Sequence, residues 1–325
     1  MVDASLNSLL GRGDRTDALL LHSLGSDYQR LAYSQPIGSG GWRLGVNVSH
    51  LSYKVIAAAF AALDARGTSQ TAGAEATYPI VRAGLRNLFF AFSLDDKRFD
   101  NQSNGAIASA YAVRSGSAAL YGNLFDSLGG GGANSASLSL EQGNVDLGDS
   151  PNEAGDALTT RTDGAFRKML FSAARQQVVT ENLSLYAGLS GQIANKNLDS
   201  DEKFYLGGPG GVRAYPTNEG GGSEGVMLNL EARERLPLNF NLVGFFDIGV
   251  VKFNRDNGFA AAAALNHDEL KGVGITLGWT ARMGLSVKAT LARRIGSNPD
   301  PTGSGTDQDG SRDDNRLWLQ ASVPF

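Results

Sequence analysis

The feature that most constrains this chain is an alternation of apolar and polar residues with a period of two. In the stretch "NLSLYAGLSGQI", apolar residues recur at nearly every second position from Leu183 onward. The same alternation is present in "WRLGVNVS" at 42–49 and in "VMLNLEARER" at 226–235. A period of two is typical of a β-strand with one apolar and one polar face, and helical spacing fits it poorly. The sequence therefore predicts an all-β fold.

Composition excludes several other classes of protein. The 325 residues include 42 Gly, 9 Pro and no Cys, with a formal net charge of -4. A nearly balanced charge argues against a nucleic-acid partner, which calls for a clustered basic surface. The absence of cysteine excludes thiol catalysis, disulfides and thiolate zinc sites. The longest apolar run, at 55–63, is far shorter than the roughly 18 residues of a membrane-spanning helix.

The last strand and the unequal loops indicate a membrane barrel. "NRLWLQASVPF" alternates up to Phe325, and this resembles the C-terminal signature strand of Gram-negative outer-membrane barrels. Tight turns on one side alternate with long polar loops on the other, an asymmetry typical of such barrels. A mean hydropathy of -0.19 agrees with this, because lumen-facing residues and loops are polar. The turns lie at 178–182, 235–239 and 280–284, and the loops at 147–163, 197–223, 254–267 and 297–314.

Counting back from Phe325, the alternation predicts about fourteen full strands, preceded by a stub at 2–8. An even number permits an antiparallel seam, because the first strand then runs opposite to the last. An odd number would make the seam parallel. The count matters because each unsatisfied backbone group at an open edge in lipid is costly.

The strand at 226–235 predicts a charged stripe inside the barrel. Its apolar residues share one face, which we assign to lipid. The opposite face then points into the lumen and carries Asn229, Glu231, Arg233 and Arg235.

The glycine-rich stretch "FYLGGPGGVRAYP" at 204–216 fits neither of two known chemistries. A phosphate loop ends in Gly-Lys-Ser/Thr and leads into a helix, and neither feature is present. The G-x-S-x-G at 221–225 precedes a predicted strand, whereas a nucleophile elbow precedes a helix. Long loops in compact folds are usually functional. We interpret this loop as a carrier for Arg213.

No residue set predicts catalysis, a metal site or a cofactor. His22, His50 and His267 fall on separate predicted elements without acidic partners at metal or triad spacing. The acidic stretch at 300–315 lacks the last glutamate of an EF-hand. We interpret it as a solvated extracellular loop.

A second short motif places a carboxylate in the lumen. In "GFFDIG" at 244–249 and its flanks, Leu242, Phe246 and Ile248 form an outward apolar row. By strand parity, Asp247 and its inward neighbours then face the interior.

Two motifs in this order resemble a known family. "VRAYP" at 212–216 resembles the V-R-G-[YF] signature in the sixth loop of the Omp85 superfamily, and "GFFDIG" resembles its G-x-F-D-x-G on a following strand. The surrounding sequence resembles the TpsB transporters of two-partner secretion, the ShlB/FhaC/HecB type of haemolysin secretion/activation protein. The resemblance implies a transmembrane antiparallel β-barrel, sixteen-stranded in the family, in the outer membrane of a Gram-negative bacterium.

The resemblance also implies the site. An ion pair between Arg213 and Asp247 would anchor the infolded loop at 197–223 in the lumen. Two charges about 4 Å apart at a dielectric of about 20 attract by about 4 kcal/mol, offset by desolvation, so such a pair mainly fixes the loop's position. In the alternative, Arg213 is a surface charge and Asp247 one of many acids in a passive pore. The residues expected to pack around the pair are Val212, Tyr215, Gly244, Phe245 and Gly249.

The resemblance covers the barrel part of the family plan. We therefore expect 1–325 to form one outer-membrane β-barrel domain, without the family's POTRA domains and plug helix. The implied function is translocation of a large unfolded, TpsA-like exoprotein through a loop-gated pore, without enzymatic chemistry. Expected partners are that exoprotein, outer-membrane lipid and the barrel assembly machinery, the last through the strand ending at Phe325; we expect a monomer. The alternatives are a passive porin-like channel and an Omp85-type assembly factor.

Overall fold

The computed structural model describes residues 1–56, 58–148, 150–282 and 284–324. Its main element is one antiparallel sheet of fifteen strands in sequence order, and two short strands pair inside a loop. No helix in the described part of the chain is long and apolar enough to span a bilayer. The strands are β1 Val2–Asn7, β2 Arg15–His22, β3 Ser26–Ile37, β4 Trp42–Lys54, β5 Arg66–Ala83, β6 Arg86–Ser103, β7 Ala106–Asp126, β8 Gly132–Asp146, β9 Gly164–Val178, β10 Leu183–Ala194, β11 Phe204–Tyr205, β12 Gly221–Gly222, β13 Glu224–Leu236, β14 Phe240–Lys252, β15 His267–Thr280, β16 Ser286–Arg294 and β17 Asn315–Ser322. Helix α1 is Glu153–Leu158, and 3₁₀ turns are Ala58–Leu63, Leu128–Gly130, Ser200–Glu202 and Pro237–Asn239.

The predicted all-β fold with two unlike faces is confirmed. On β10, Leu185, Leu189 and Ile193 point outward and are exposed, whereas Gln192 is buried inside. On β14, Phe245 and Asp247 are buried on the inner face, as parity predicted. In a membrane barrel the outward apolar rows face lipid, so their exposure carries no penalty.

The sheet wraps around an interior. The connection between β10 and β13 contacts Lys97 on β6 at one end and Trp318 on β17 at the other. These two strands lie far apart in the order of the sheet. One connecting segment can reach both of them only if the sheet curves around it.

The strand count exceeds the predicted fourteen full strands by one, because the stub is itself a paired strand. β1 forms an antiparallel ladder with β2, from Val2 opposite Leu20 to Asn7 opposite Arg15. With fifteen strands, β1 and β17 run in the same direction. No ladder joins these two strands within the part of the chain that the structure describes.

The two ends of the barrel differ as the sequence predicted. One end carries short connections, including 38–41, 84–85, 179–182 and 237–239, and the other carries the long ones at 147–163, 195–223, 253–266 and 295–314. Two outward aromatic pairs lie near the short-turn end, as in the girdles at the lipid–water boundary of outer-membrane barrels. They are Trp42–Tyr78 and Phe240–Trp279, with ring-centroid separations of 4.9 Å and 6.3 Å. A third pair at the same end, Phe89–Tyr121 at 5.3 Å, lies on the inner face.

The last strand carries the predicted outward row. Leu317 and Leu319 on β17 are exposed on the outer face, and Trp318 between them reaches the interior. Phe325, the proposed end of the assembly signal, lies outside the described residues.

Candidate functional site

The segment 195–223, hereafter the lumen loop, folds into the barrel interior. It leaves β10, makes the turn at Ser200–Glu202 and returns to β13. Its two sides are held together by the short β11–β12 ladder, in which Phe204 pairs with Gly222. We call residues 195–205 the rising arm and residues 206–216 the tip.

Glycines permit the sharp fold of the tip. Gly208 has a φ of +110°, which side-chain-bearing residues rarely adopt. A Cβ at Gly207 would clash with the carbonyl oxygen of Pro216, and one at Gly211 would clash with that of Leu206. The glycine-rich stretch at 204–216 is therefore a folded platform, and Arg213 projects from it.

Arg213 and Asp247 meet in the interior. The Arg213 Nε lies 2.9 Å from Asp247 Oδ2 and its Nη2 lies 2.7 Å from Oδ1, a bidentate contact. The backbone N–H of Arg213 also donates to Asp247 Oδ2 at 3.1 Å. Asp247 is 0% exposed and Arg213 is 7% exposed. A bidentate guanidinium–carboxylate contact fixes orientation as well as distance, and lysine cannot reproduce it.

Neighbouring groups satisfy the remaining hydrogen-bond donors and acceptors of Arg213 and Asp247. Arg213 Nη1 donates to Glu231 Oε1 at 2.8 Å, and the guanidinium carbon lies 3.6 Å from the centroid of the Phe245 ring. Asn229 Nδ2 donates to Asp247 Oδ1 at 2.8 Å and to the Gly211 carbonyl at 3.2 Å. A buried charge is tolerable only when it is paired and hydrogen-bonded, and both conditions are met here.

Three members of the predicted lumen stripe join this network and the fourth does not. Glu231 bridges Arg213 and Arg233, the latter through a 2.7 Å bond from Arg233 Nε to Glu231 Oε2. The Arg233 guanidinium carbon also lies 4.1 Å from the centroid of the Tyr186 ring. Asn229 contacts Asp247 directly. Arg235 is exposed near the end of β13, away from the tip.

Apolar packing holds the tip against the wall. Val212, Tyr215 and Phe245 belong to one buried cluster, which the structure completes with residues of β13 to β16. Gly249 leaves room for the side chain of Leu206, because a Cβ there would clash with it. The expectation for Gly244 is not met, since a Cβ at this outward-facing position would meet no atom within 4 Å.

Several partners of the tip were missed by the sequence analysis. Trp318 Nε1 donates to the Arg213 carbonyl at 2.8 Å, and the Arg294 guanidinium carbon lies 4.9 Å from the centroid of the Tyr215 ring. Strand parity alone could have placed Trp318 inside, since its neighbours on β17 face outward. Arg294 in turn pairs with Asp307 at 2.5 Å, so the acidic loop between β16 and β17 folds onto the same region.

That acidic loop also binds the returning side of the lumen loop. Glu219 accepts bonds from Asn298 Nδ2 at 2.7 Å and from the Gln308 backbone N–H at 2.8 Å. Burial raises the pKa of the Glu219 carboxyl. These two hydrogen bonds lower it, but their effect is smaller than that of burial. The loop at 300–315, which the sequence predicts to be solvated, therefore contacts the lumen loop over part of its length.

The three histidines remain apart in the structure. His22, His50 and His267 lie on β2, β4 and β15. Among the described residues, no group of three or more His, Asp or Glu side chains is arranged to hold a metal ion.

Solved structures share this architecture. CdiB from Escherichia coli matches with a TM-score of 0.74 at 18% identity, covering 99% of this chain and 58% of that one. CdiB from Acinetobacter baumannii matches with a TM-score of 0.71 at 14% identity, covering 99% and 55%. BamA from Haemophilus ducreyi lacking POTRA domains 1-3 matches with a TM-score of 0.64 at 13% identity, covering 98% and 66%. These likenesses show the barrel fold.

The sequence has related proteins as well. The heme/hemopexin transporter protein HuxB of Haemophilus influenzae (strain 86-028NP) is 24% identical over 329 aligned residues, covering 98% of this chain and 56% of that protein. HuxB of the strain ATCC 51907 is 25% identical over 302 residues, covering 90% and 53%. The chain therefore spans about half the length of the curated relatives it matches.

The match to a protein-family model shows which family the chain belongs to. The model of the haemolysin secretion/activation protein ShlB/FhaC/HecB matches residues 2–280, most of the chain. This match and the shared fold confirm the predicted outer-membrane barrel of a Gram-negative bacterium. The chain belongs to the haemolysin secretion/activation protein family ShlB/FhaC/HecB.

Proposed function

We propose that this barrel is the translocation pore of a two-partner secretion system, and that the lumen loop closes the pore at rest. In this proposal a large exoprotein passes through the barrel in unfolded form, without covalent chemistry. Passage requires the tip to leave its position on the inner wall.

The buried contact between Arg213 and Asp247 carries the proposal. A passive pore needs no loop tied into its lumen, whereas here a loop of the barrel places an arginine in bidentate contact with a wall carboxylate. Glu231, Phe245 and Trp318 hold the same arginine residue from three other sides. Such a contact sets one closed position and is reversible.

The cargo in this proposal is a secreted exoprotein. The matching family is described as a haemolysin secretion/activation protein, which supports an exported protein as the partner. Outer-membrane lipid covers the apolar outer face, and the barrel assembly machinery recognises the strand that ends at Phe325. The barrel acts as a monomer.

The test is deletion of the gene in the bacterium that carries it, followed by mass spectrometry of the culture medium. The proposal predicts that one large protein disappears from the medium and returns when the gene is restored. An unchanged medium together with slower uptake of small solutes would indicate a passive channel instead. A general loss of other barrels from the outer membrane would indicate an assembly factor.

A further inference from the structure

The rising arm of the lumen loop has a charged contact of its own, well away from Arg213. Glu202, in the turn that begins the loop, is 1% exposed. Its Oε2 lies 2.5 Å from Lys168 Nζ on β9, and its Oε1 lies 2.8 Å from Lys97 Nζ on β6. One carboxylate thus joins two strands of the wall through two ammonium groups.

Further bonds tie the same turn to the same wall. Lys97 Nζ also contacts Asp201 Oδ2 at 2.6 Å, and Tyr111 on β7 donates its hydroxyl to Asp199 Oδ1 at 2.9 Å. Gln192 on β10 donates to the backbone carbonyl of Glu202 at 3.0 Å. The rising arm is therefore held by side chains of β6, β7, β9 and β10.

The tip uses a different part of the wall. Its partners Asp247, Arg294 and Trp318 lie on β14, β16 and β17. The two sets of wall strands do not overlap. Breaking one contact consequently leaves the loop held by the other.

We propose that Glu202, Lys97 and Lys168 form a second electrostatic anchor, which positions the rising arm and must release, in addition to Arg213, before the pore opens fully. The proposal rests on the proposed function, because it assumes that the lumen loop closes the pore. Glu202 is a positioning residue and need not touch the cargo. Release of one anchor gives partial openings, and release of both gives full ones.

The experiment is single-channel recording of the detergent-refolded chain in planar bilayers with KCl as the only conducted salt. Removing one partner of a buried ion pair leaves the other charge uncompensated. We expect Glu202→Gln to make partial openings about tenfold more frequent, by that mechanism. Glu202→Gln combined with Asp247→Ala should give larger and longer openings than either change alone. The control is Glu153→Gln, on the exposed helix α1, which should leave the record unchanged.

A charge exchange separates an electrostatic anchor from simple packing. Glu202→Lys should open the channel. Adding Lys97→Glu and Lys168→Glu should return it toward the parent record, with Asp201→Asn and Glu141→Gln included because those two carboxylates would otherwise repel the exchanged charges. Failure of that rescue in a barrel that still folds would overturn the proposal. So would a Glu202→Gln record identical to the parent's while Asp247→Ala opens the channel, and in that case loop gating itself stands. If Asp247→Ala also has no effect, the proposed function fails with it.

A crosslinking experiment tests the same contact if the charge variants do not fold. The chain has no cysteine, so Lys168→Cys with Glu202→Cys creates the only two thiols. Bridging them with a reducible thiol crosslinker should restore the quiet parent record, and reduction should bring the openings back. A record that ignores both crosslinking and reduction would contradict an anchoring role for this turn.

Discussion

The tip and the rising arm of one loop are both packed against the wall, but their charged contacts differ in kind. The tip has a bidentate ion pair between Arg213 and Asp247 beside a buried apolar cluster on β13 to β16. The rising arm has one carboxylate shared by two lysines, and its Leu198 joins a second buried apolar cluster with residues of β7 to β10. A bidentate guanidinium–carboxylate contact fixes orientation as well as distance. An ammonium group acts as a point charge, so a carboxylate shared by two lysines tolerates small shifts. The tip is thus suited to define the closed state, and the arm is suited to guide the loop toward it.

The largest expected effect comes from breaking the ionic part of the tip. Arg213→Ala leaves Asp247 buried without its partner, which costs about 3–5 kcal/mol in comparable buried pairs. We expect the tip to leave the wall without docking again, and the export of the exoprotein to be lost because export in this proposal needs a tip that both docks and releases. The barrel itself should still assemble. Export is measured in the culture medium and assembly by the heat-modifiable mobility of the folded barrel on a gel.

Two further variants sharpen that result. Arg213→Lys keeps the charge but loses the bidentate geometry, so export should fall between those of the parent and Arg213→Ala. Arg12→Ala, at an exposed position in the turn after β1, is the control and should export normally. Normal export by Arg213→Ala at normal barrel levels would show that this contact does not matter for transport.

A steric change should displace the tip without touching its charges. A Cβ at Gly272 on β15 would lie 2.6 Å from the Cβ of Ala214. Gly272→Val is therefore expected to push the tip off the wall and expose Arg213 to trypsin. Mass spectrometry of the digested folded barrel detects cleavage after this arginine. Gly244→Val, at an open outward position on β14, should stay as resistant as the parent; equal cleavage of both variants would contradict close packing at Gly272.

Tyr215 separates packing from hydrogen bonding within the tip. Its side chain is fully buried, yet its hydroxyl finds no partner in the part of the chain that the structure describes. Tyr215→Ala removes a large buried ring, a change that typically costs about 3–5 kcal/mol, and should make the tip sensitive to trypsin. Tyr215→Phe should remain resistant. Sensitivity of Tyr215→Phe equal to that of Tyr215→Ala would show that the hydroxyl is essential.

The smallest effect is expected from mild acid acting on the rising arm. Burial acts to raise the pKa of Glu202, but Lys168 and Lys97 lower it to about 2, below its usual 4.5. A lowered pKa means that the stabilisation is complete above 4.5 and is lost as the pH falls toward 2. The charged groups facing Glu202 are those two lysines with Asp95, Asp201 and Glu141.

Channel records at pH 7 and pH 5 should therefore show the same frequency of partial openings. Partial openings should increase when the pH is lowered further, and Glu202→Gln should remove this acid-dependent increase. A clear rise in partial openings between pH 7 and pH 5 that depends on Glu202 would contradict this prediction, because Glu202 would then be protonated at a higher pH than its lowered pKa allows.

The sequence predicted the tip far better than the arm. A period of two defines the inner face of β14, and a motif in a glycine-rich loop identifies Arg213, so the Arg213–Asp247 contact could be anticipated. Glu202 and its lysines carry no such pattern, because Lys97 and Glu202 stand 105 positions apart and meet only through the register of the intervening strands. For β1 the sequence predicts only a stub, because six residues are too few to show a clear alternation. Gly244 was included by its place in a motif, although parity puts it outside.

The most direct test of the closed loop is the single-channel conductance of the refolded chain compared with that of Asp247→Ala. If the Arg213–Asp247 contact holds the tip in the lumen, the parent should show low, flickering conductance and the variant larger and steadier conductance. Equal and steady currents from both proteins would contradict a loop that closes this barrel.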